Sequence, residues 1–367
     1  MPISVCIDWG SSSFRAYRFS PQGRCIDKLD TGDGIKSVIA RSNRGAAQDV
    51  QPQDTATLFE SVFFELVGHW LQPGDTVLLS GMITSRSGWV ESGYLPCPAD
   101  LGTLARHASK HIASSARHNS IHCLFLPGIS QTRPMADVMR GEELQLLGVA
   151  NTDSNALVIL PGTHSKWAYL DGNTVNQFHT LVTGELYELL LHQSLVGSLA
   201  KSGFDAATNQ TQTVINNNTS VDDVSFLEGV SHGFEHSTLV RALFTCRSSV
   251  LLNQREPDTI ASLLSGLLIG NEIREGMQLI NESNGLGTLG VSLVGNRQLC
   301  QQYHAALAHC DIPVVSQWAD TVDRTANEGT DNATNLATNL ATNLATDVET
   351  GDAAIAGFQR LIPQLSL

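Results

Sequence analysis

Four polar segments hold the side chains able to do chemistry. The first, DWGSSSFR (Asp8 to Arg15), sets an acidic residue at a strand end, where a carboxylate holds a divalent cation directly or through water. Gly10 lets backbone approach a ligand closely. The hydroxyls of Ser11 and Ser12, with the loop N–H groups, suit phosphate oxygens, and Arg15 closes the segment. No GxxxxGK[ST] string occurs, so this is not a Walker loop. The second segment, PGTHSKW (Pro161 to Trp167), offers Gly162, Thr163, His164, Ser165 and Lys166 as backbone and side-chain donors. The third, Gly81 to Pro98, sets Arg86 among Ser85, Trp89, Glu91 and Tyr94. An arginine beside hydroxyls and aromatics suits a carboxylate-bearing, sugar-like ligand. The fourth, DVMRGEE (Asp137 to Glu143), sets a carboxylate at a helix start; such a group can take a proton from an alcohol attacking a phosphoryl group.

Each segment also has a plainer explanation. The first is an ordinary hairpin turn; His164 is a hydrogen-bonded loop histidine and Lys166 a solvated charge. Arg86 lies on a packed surface loop, and Asp137 caps a helix whose Arg140, Glu142 and Glu143 form a solvated face. Cys97, between prolines with nothing basic adjoining it, reads as structural.

The elements that must position these residues repeat. Ile3, Val5 and Ile7 alternate with polar or small residues and predict a half-buried strand. A second strand follows the first loop at Arg15 to Phe19; a turn at Pro21–Gly23 leads to a third at Arg24 to Leu29. The same unit returns about 150 residues later, with strands at Ala156 to Leu160, Lys166 to Leu170 and Thr174 to Leu181. Two like domains are expected, and two such loops facing one another would clamp a polyphosphate. Helices are predicted at Thr55 to Trp70, Asp137 to Val149 with Asp137 as N-cap, Thr183 to Leu199, Pro257 to Ile280, Arg297 to Cys310 and Gly351 to Ile362. Short strands are predicted at Val291 to Val294 and Pro313 to Ser316. The Asn/Thr-rich stretches at 205–223 and 325–350, the latter with an ATNL repeat, read as surface insertions.

Composition bounds the function. The 367 residues allow about two domains. With 22 Lys+Arg against 36 Asp+Glu, the net charge of −14 argues against general nucleic-acid binding. A local basic cluster can still receive an anionic small molecule. The opening MPISVCIDWG resembles no signal peptide, and no run of about 18 apolar residues predicts a membrane span. Seven cysteines without a CxxC pair fit reduced thiols in a cytoplasmic protein.

The strings IDWGSSSFRAY, SGMITSRSGWVESGYLPCPAD, PGISQTRPMADVMRGEELQLLG, LPGTHSKWAYLDG, LVTGELYELLLHQS, SGLLIGNEI and SLVGNRQL together resemble the 2-dehydro-3-deoxygalactonokinase family. These are sugar-acid kinases of the actin/hexokinase/Hsp70 ATPase superfamily. The resemblance implies an α/β fold of two ribonuclease-H-like domains, 1–150 and 151–367, with ATP and Mg²⁺ in the cleft between them. It implies phosphorylation of 2-dehydro-3-deoxy-D-galactonate at its 6-hydroxyl, giving ADP, in D-galactonate breakdown. Asp8, Gly10, Ser11, Ser12 and Arg15 then match the first phosphate loop, with Asp8 near the metal. Gly162, Thr163, His164 and Lys166 match the second, and Gly295 the adenosine region. Asp137 becomes the base, with Glu142 and Glu185 as rivals, and Ser85, Arg86 and Trp89 hold the sugar acid. Two features depart from the family: Ser11-Ser12 stands where many relatives carry Thr, and the insertions lengthen the chain. A kinase for another sugar acid, a phosphatase and a nucleotide-binding regulator of the same superfamily are the alternatives. A regulator needs a DNA-binding module, and the first strand here already begins at Ile3. The sequence is compatible with a homodimer but does not set the oligomeric state.

Overall fold

The computed structural model describes residues 3–45, 52–115, 120–152, 154–200, 223–236, 238–284, 290–319 and 352–365. Apart from Asp223, the two expected insertions lie outside the described residues. The chain divides into two compact units, one comprising Met1–Ala156, Ala168–Phe178 and Gly351–Leu367, the other Leu157–Trp167 and His179–Thr350.

The first sheet contains β1 (Ile3–Trp9), β2 (Phe14–Phe19), β3 (Cys25–Thr31), β4 (Thr76–Ser80), β7 (Ser109–Ala113) and β8 (Ile121–Phe125). Its order is β3-β2-β1-β4-β8-β7. The pairs β1–β2 and β2–β3 are antiparallel, whereas β1–β4 and β4–β8 are parallel. Another sheet contains β6 (Ala99–Asp100), β11 (Ala156–Leu160), β12 (Ser165–Asp171), β13 (Thr174–Leu181), β14 (Val291–Gly295) and β15 (Val314–Ala319). Its order, β15-β14-β11-β12-β13-β6, repeats the first: two hairpin strands on one side of the first strand, two later strands on the other. β11–β14 and β14–β15 are again parallel. This repeated order is the ribonuclease-H-like core, and it realises the duplication expected from the two strand–loop–strand units. A small sheet of β5 (Tyr94–Pro96), β9 (Gly128–Gln131) and β10 (Asp137–Met139) completes the strands.

The alternation at Ile3–Ile7 predicted one buried face, but Val5, Cys6 and Ile7 are all fully buried. β1 is an interior strand covered on both faces, and such strands lose their alternation. α1 (Ile35–Gly45) follows the hairpin, and α2 (Pro52–Val67) packs against one face, where Phe59 meets Trp9 edge-on at 5.5 Å. On the other side, Tyr17, paired with Cys6, meets Phe358 of α10 (Ala353–Leu361) at 5.9 Å. α3 (Leu101–Arg106) is capped by Asp100, whose carboxylate accepts the Thr103 N–H at 2.6 Å. α4 (Glu142–Val149) crosses α10 so closely that a Cβ on Gly148 or Gly357 would overlap the facing backbone.

The helix predicted from Asp137 is corrected. Residues 137–139 form β10, paired antiparallel with β9. Gly141, at φ +106°, cannot continue a helix, so α4 begins only at Glu142. Asp137 is therefore not the N-cap of α4; Gly141 occupies that position.

The second unit carries α5 (Thr183–Gln193), α6 (Asp223–Glu235), α7 (Leu239–Leu251), α8 (Ile260–Asn284) and α9 (Arg297–His309). α5 stops short of the predicted Leu199, and Pro257 opens a single 3₁₀ turn before α8. α6 and α8 touch backbone to backbone through Gly229, Gly233, Gly266 and Gly270.

Candidate active site

The first loop is a tight turn tied to the helix that follows it. The Gly10 N–H donates to the Ser13 carbonyl at 2.9 Å. The Gly10 and Ser11 carbonyls accept the N–H groups of Ile35 and Lys36, at 3.0 and 3.1 Å, satisfying donors at the start of α1. A Cβ on Gly34 would overlap the Ser12 backbone, so the turn and α1 are in direct contact.

Asp8 stands at the end of β1 with its side chain 17% exposed. Arg15 approaches its carboxylate at 3.9 Å and reaches Asp30 at 3.3 Å. Two glycines wall the same carboxylate. Gly81, following β4, has φ +89°, and a Cβ there would lie 2.9 Å from Asp8 Oδ1 and 2.8 Å from the Trp9 carbonyl oxygen. A Cβ on Gly141 would lie 3.8 Å from Asp8 Oδ1 and 3.2 Å from the Gly81 Cα. The end of β1, the end of β4 and the start of α4 thus converge on one acidic group.

The segment after Gly81 is held by a residue that the sequence pattern placed on a solvated face. Arg140 is buried. Its Nη1 donates to the Thr84 carbonyl at 2.7 Å, the Thr84 hydroxyl at 2.6 Å and the Ser92 hydroxyl at 3.1 Å; its Nη2 donates to the Gly93 carbonyl at 2.6 Å. The guanidinium also covers the Tyr94 ring at 4.2 Å. The other two charges assigned to that face are also engaged locally. Glu142 accepts the Arg140 N–H at 2.9 Å, and Glu143 accepts the Gly141 N–H at 2.7 Å. Glu143 is fully buried, and burial, with the neighbouring Glu142 charge second, pushes its carboxyl up to about 8.

The three expected sugar-acid residues have different surroundings. Arg86 is 89% exposed and meets Glu91 at 3.6 Å. The buried Ser85 hydroxyl donates to the Met82 carbonyl at 2.7 Å, closing its own turn. Trp89 is 6% exposed and packs against Phe63, Phe125 and His111 at 5.4, 5.3 and 5.5 Å. Asp137 is partly buried and accepts the Val138 N–H at 2.7 Å. Burial, and secondarily Asp137, pushes the Cys97 thiol up to about 12, consistent with a structural cysteine.

In the second unit, the loop between β11 and β12 rests on the start of α5. The Glu185 N–H donates to the Thr163 carbonyl at 3.0 Å. A Cβ on Gly184 would lie 2.5 Å from the Gly162 carbonyl oxygen. His164 and Glu185 meet at 2.5 Å. Thr163 and His164 are exposed, whereas Ser165 and Lys166 are buried, with the Lys166 ammonium 3.3 Å from the His164 carbonyl. Gly295, at φ +138°, ends β14, and a Cβ on it would lie 3.7 Å from the Pro161 carbonyl oxygen. Among the described residues, no group of three or more His, Cys, Asp or Glu side chains is arranged to hold a metal. Asp8 offers one partly exposed carboxylate beside a phosphate-type turn. That suits Mg²⁺, which takes one or two carboxylates and fills its octahedron with water and phosphate oxygens.

Residues 8–329 match the family model described as 2-keto-3-deoxy-galactonokinase. The chain is 26% identical to the 2-dehydro-3-deoxygalactonokinase of Escherichia coli (strain K12) over 315 residues, 85% of this chain and 92% of that protein. It is 31% identical to a probable 2-dehydro-3-deoxygalactonokinase of Rhizobium meliloti (strain 1021) over 327 residues, 87% of this chain and 94% of that protein. A crystal structure of a 2-dehydro-3-deoxygalactonokinase candidate from Sinorhizobium meliloti superposes with a TM-score of 0.68 and 25% identity, covering 98% of this chain and 97% of that one.

Proposed function

The chain belongs to the 2-keto-3-deoxy-galactonokinase family, and from that premise we propose how its residues carry out the reaction. It is a sugar-acid kinase that phosphorylates 2-dehydro-3-deoxygalactonate with ATP. No helix among the described residues is long and apolar enough to cross a membrane. The observation that carries the assignment of roles is the convergence of β1, β4 and α4 on the glycine-walled Asp8 carboxylate.

Asp8 would hold Mg²⁺, which would supply neutralisation of charge on the ATP phosphates. Ser11, Ser12 and Arg15 present N–H, hydroxyl and guanidinium donors, and Gly10 lets the backbone of the turn come close to the phosphates. Gly162, Thr163, His164 and Lys166 present the backbone and side-chain donors of the second loop, and Gly295 leaves room for the adenosine. These donors stabilise charge on the transferring group. Arg86, facing solvent, takes the substrate carboxylate, displacing its exposed partner Glu91. Ser85 and Trp89 support that segment from beneath. Asp137 takes the proton of the attacking 6-hydroxyl. Glu142 is a second reading for the base, favoured by its place one residue beyond Gly141 in the wall around Asp8. Residues 1–150 then carry the first loop and the sugar-acid segment, and 151–367 the second loop and the adenosine region.

The test is ADP release with Mg-ATP and a panel of 2-dehydro-3-deoxy-D-galactonate, its gluconate epimer, D-galactonate and no sugar acid. Release dependent on the first compound is expected. Equal release with and without every sugar acid would overturn the kinase reading. Asp137→Asn and Glu142→Gln, assayed side by side, assign the base to whichever variant loses turnover.

A further inference from the structure

Beneath the second loop lies a buried carboxylate that the proposed chemistry does not use. Glu272, in the middle of α8, is 1% exposed. Trp167 Nε1 donates to one of its oxygens at 2.8 Å, and the Tyr303 hydroxyl donates to the other at 2.7 Å. The Thr183 and Ser165 hydroxyls also favour its charge, and Ser165 Oγ, 3.0 Å from the Tyr303 oxygen, donates to Tyr303, whose own proton goes to Glu272. An ionised carboxylate offers about four acceptor sites and no donor. When water is excluded, protein donors must fill those sites, and Trp167 and Tyr303 supply one to each oxygen.

The donors come from the elements that carry the loop. Ser165 and Trp167 begin β12 directly after the loop tip, and Thr183 is the first residue of α5, on which the tip rests. Tyr303 comes from α9. One turn along α8 from Glu272, Gly276 faces the Trp167 ring, and a Cβ there would overlap it. Residues four apart share a helix face, so α8 meets Trp167 with a carboxylate for its N–H and a gap for its ring.

We propose that Glu272 is a positioning residue for ATP: it fixes the height of Gly162–Lys166 over α5 and so aims the phosphate donors. The proposal rests on the reading of this loop as a phosphate loop, and the experiment separates the two. Hydrogen exchange of peptides covering 161–167 is followed in the wild type with and without Mg-ATP. Steady-state constants and melting temperature are then measured for Glu272→Gln and Tyr303→Phe. Gln keeps the shape but presents N–H groups to neighbouring donors, while Phe removes one donor to the carboxylate together with the link to Ser165 and leaves the charge in place.

Mg-ATP is expected to protect 161–167 in the wild type, and Glu272→Gln is expected to weaken that protection. KM for ATP should rise about tenfold in Glu272→Gln, the size of one lost charge-assisted hydrogen bond. Tyr303→Phe should show a smaller rise of the same kind, and KM for the sugar acid should stay within about twofold in both. Undiminished protection and unchanged KM for ATP in both variants would overturn the proposal and leave the phosphate-loop reading standing. A lower melting temperature with no selective effect on ATP would reduce Glu272 to a fold-stabilising role and overturn it equally. Absence of protection in the wild type would overturn the loop reading itself. Should Glu272→Gln fail to fold, Tyr303→Phe decides by the same criteria.

Discussion

Gly81→Ala tests whether the Asp8 carboxylate is held by its wall. A Cβ at this position meets two constraints. The backbone sits at φ +89°, which costs an L-residue about 1–2 kcal/mol. The methyl would also lie 2.9 Å from Asp8 Oδ1 and 2.8 Å from the Trp9 carbonyl, about half an ångström inside ordinary contact. The Trp9 carbonyl belongs to an interior strand and cannot retreat freely, so overpacking adds about 1–3 kcal/mol. A total near 3 kcal/mol corresponds to a fall in melting temperature of about 6–12 °C for a unit of this size. The same methyl pushes the carboxylate out of line, and a misplacement of about 1 Å can cost about 100-fold in rate. Gly23→Ala is the matched control. Its φ is +75°, but a Cβ there would meet nothing within 4 Å. It should lose about 1–2 kcal/mol of stability from strain alone and keep its kinetic constants. Thermal melts and the ADP-release assay are run on both proteins. We expect kcat/KM of Gly81→Ala to fall at least about tenfold below that of Gly23→Ala. Identical kinetic constants in the two variants would refute the wall.

Three further outcomes follow from the site. Trp89→Ala should lose about 3–5 kcal/mol of stability, as a large core side chain does, whereas Trp89→Phe should retain kcat/KM; a stable Trp89→Ala with a raised KM for the sugar acid would return Trp89 to direct substrate contact. Arg86→Ala, at an exposed position, should change stability by less than about 0.5 kcal/mol and raise KM for the sugar acid more than about tenfold, as loss of a charged contact does. Glu143 has its carboxyl raised to about 8 from 4.5, chiefly by burial. Its folded state therefore holds a proton that the unfolded state releases, and stability falls as pH rises from about 4.5 through 8. Glu143→Gln, which keeps the acceptor for the Gly141 N–H, should flatten that decline. Denaturant midpoints from pH 5 to 9 check it, and parallel curves for the two proteins would show that the Glu143 carboxyl stays ionised.

The loops were legible because their signal is local. DWGSSS and PGTHSKW each put glycine and hydroxyls between apolar runs, and both fall between a first and second strand. The start of α4 was not legible. Val138 and Met139 fit a helical pattern and a three-residue strand equally well, and pairing with β9 decides between them. Arg140 read as solvated because nothing near it in sequence announces Thr84 and Gly93 as its partners. Nothing in the local sequence around Gly81 and Gly141 announces that folding sets both against Asp8. Glu272 sits inside the quoted string SGLLIGNEI, yet its partner Trp167 is 105 positions away. Burial and long-range pairing are tertiary properties, and local spacing carries little trace of them.

The crossing of α4 and α10 bears on how the first unit is made. The strands of the sheet built around β1 and helix α4 are complete by Val149, but α10, which packs on Tyr17 and sends Arg360 to the Leu147 and Ala150 carbonyls, starts at Ala353. About 200 residues separate the two helices, or roughly 10–40 s of synthesis at common elongation rates. During that interval the nascent unit exposes a glycine-notched groove along α4 and the apolar face around Tyr17. The assembly of a unit closed by so late a segment is paced by translation as well as by its own barrier.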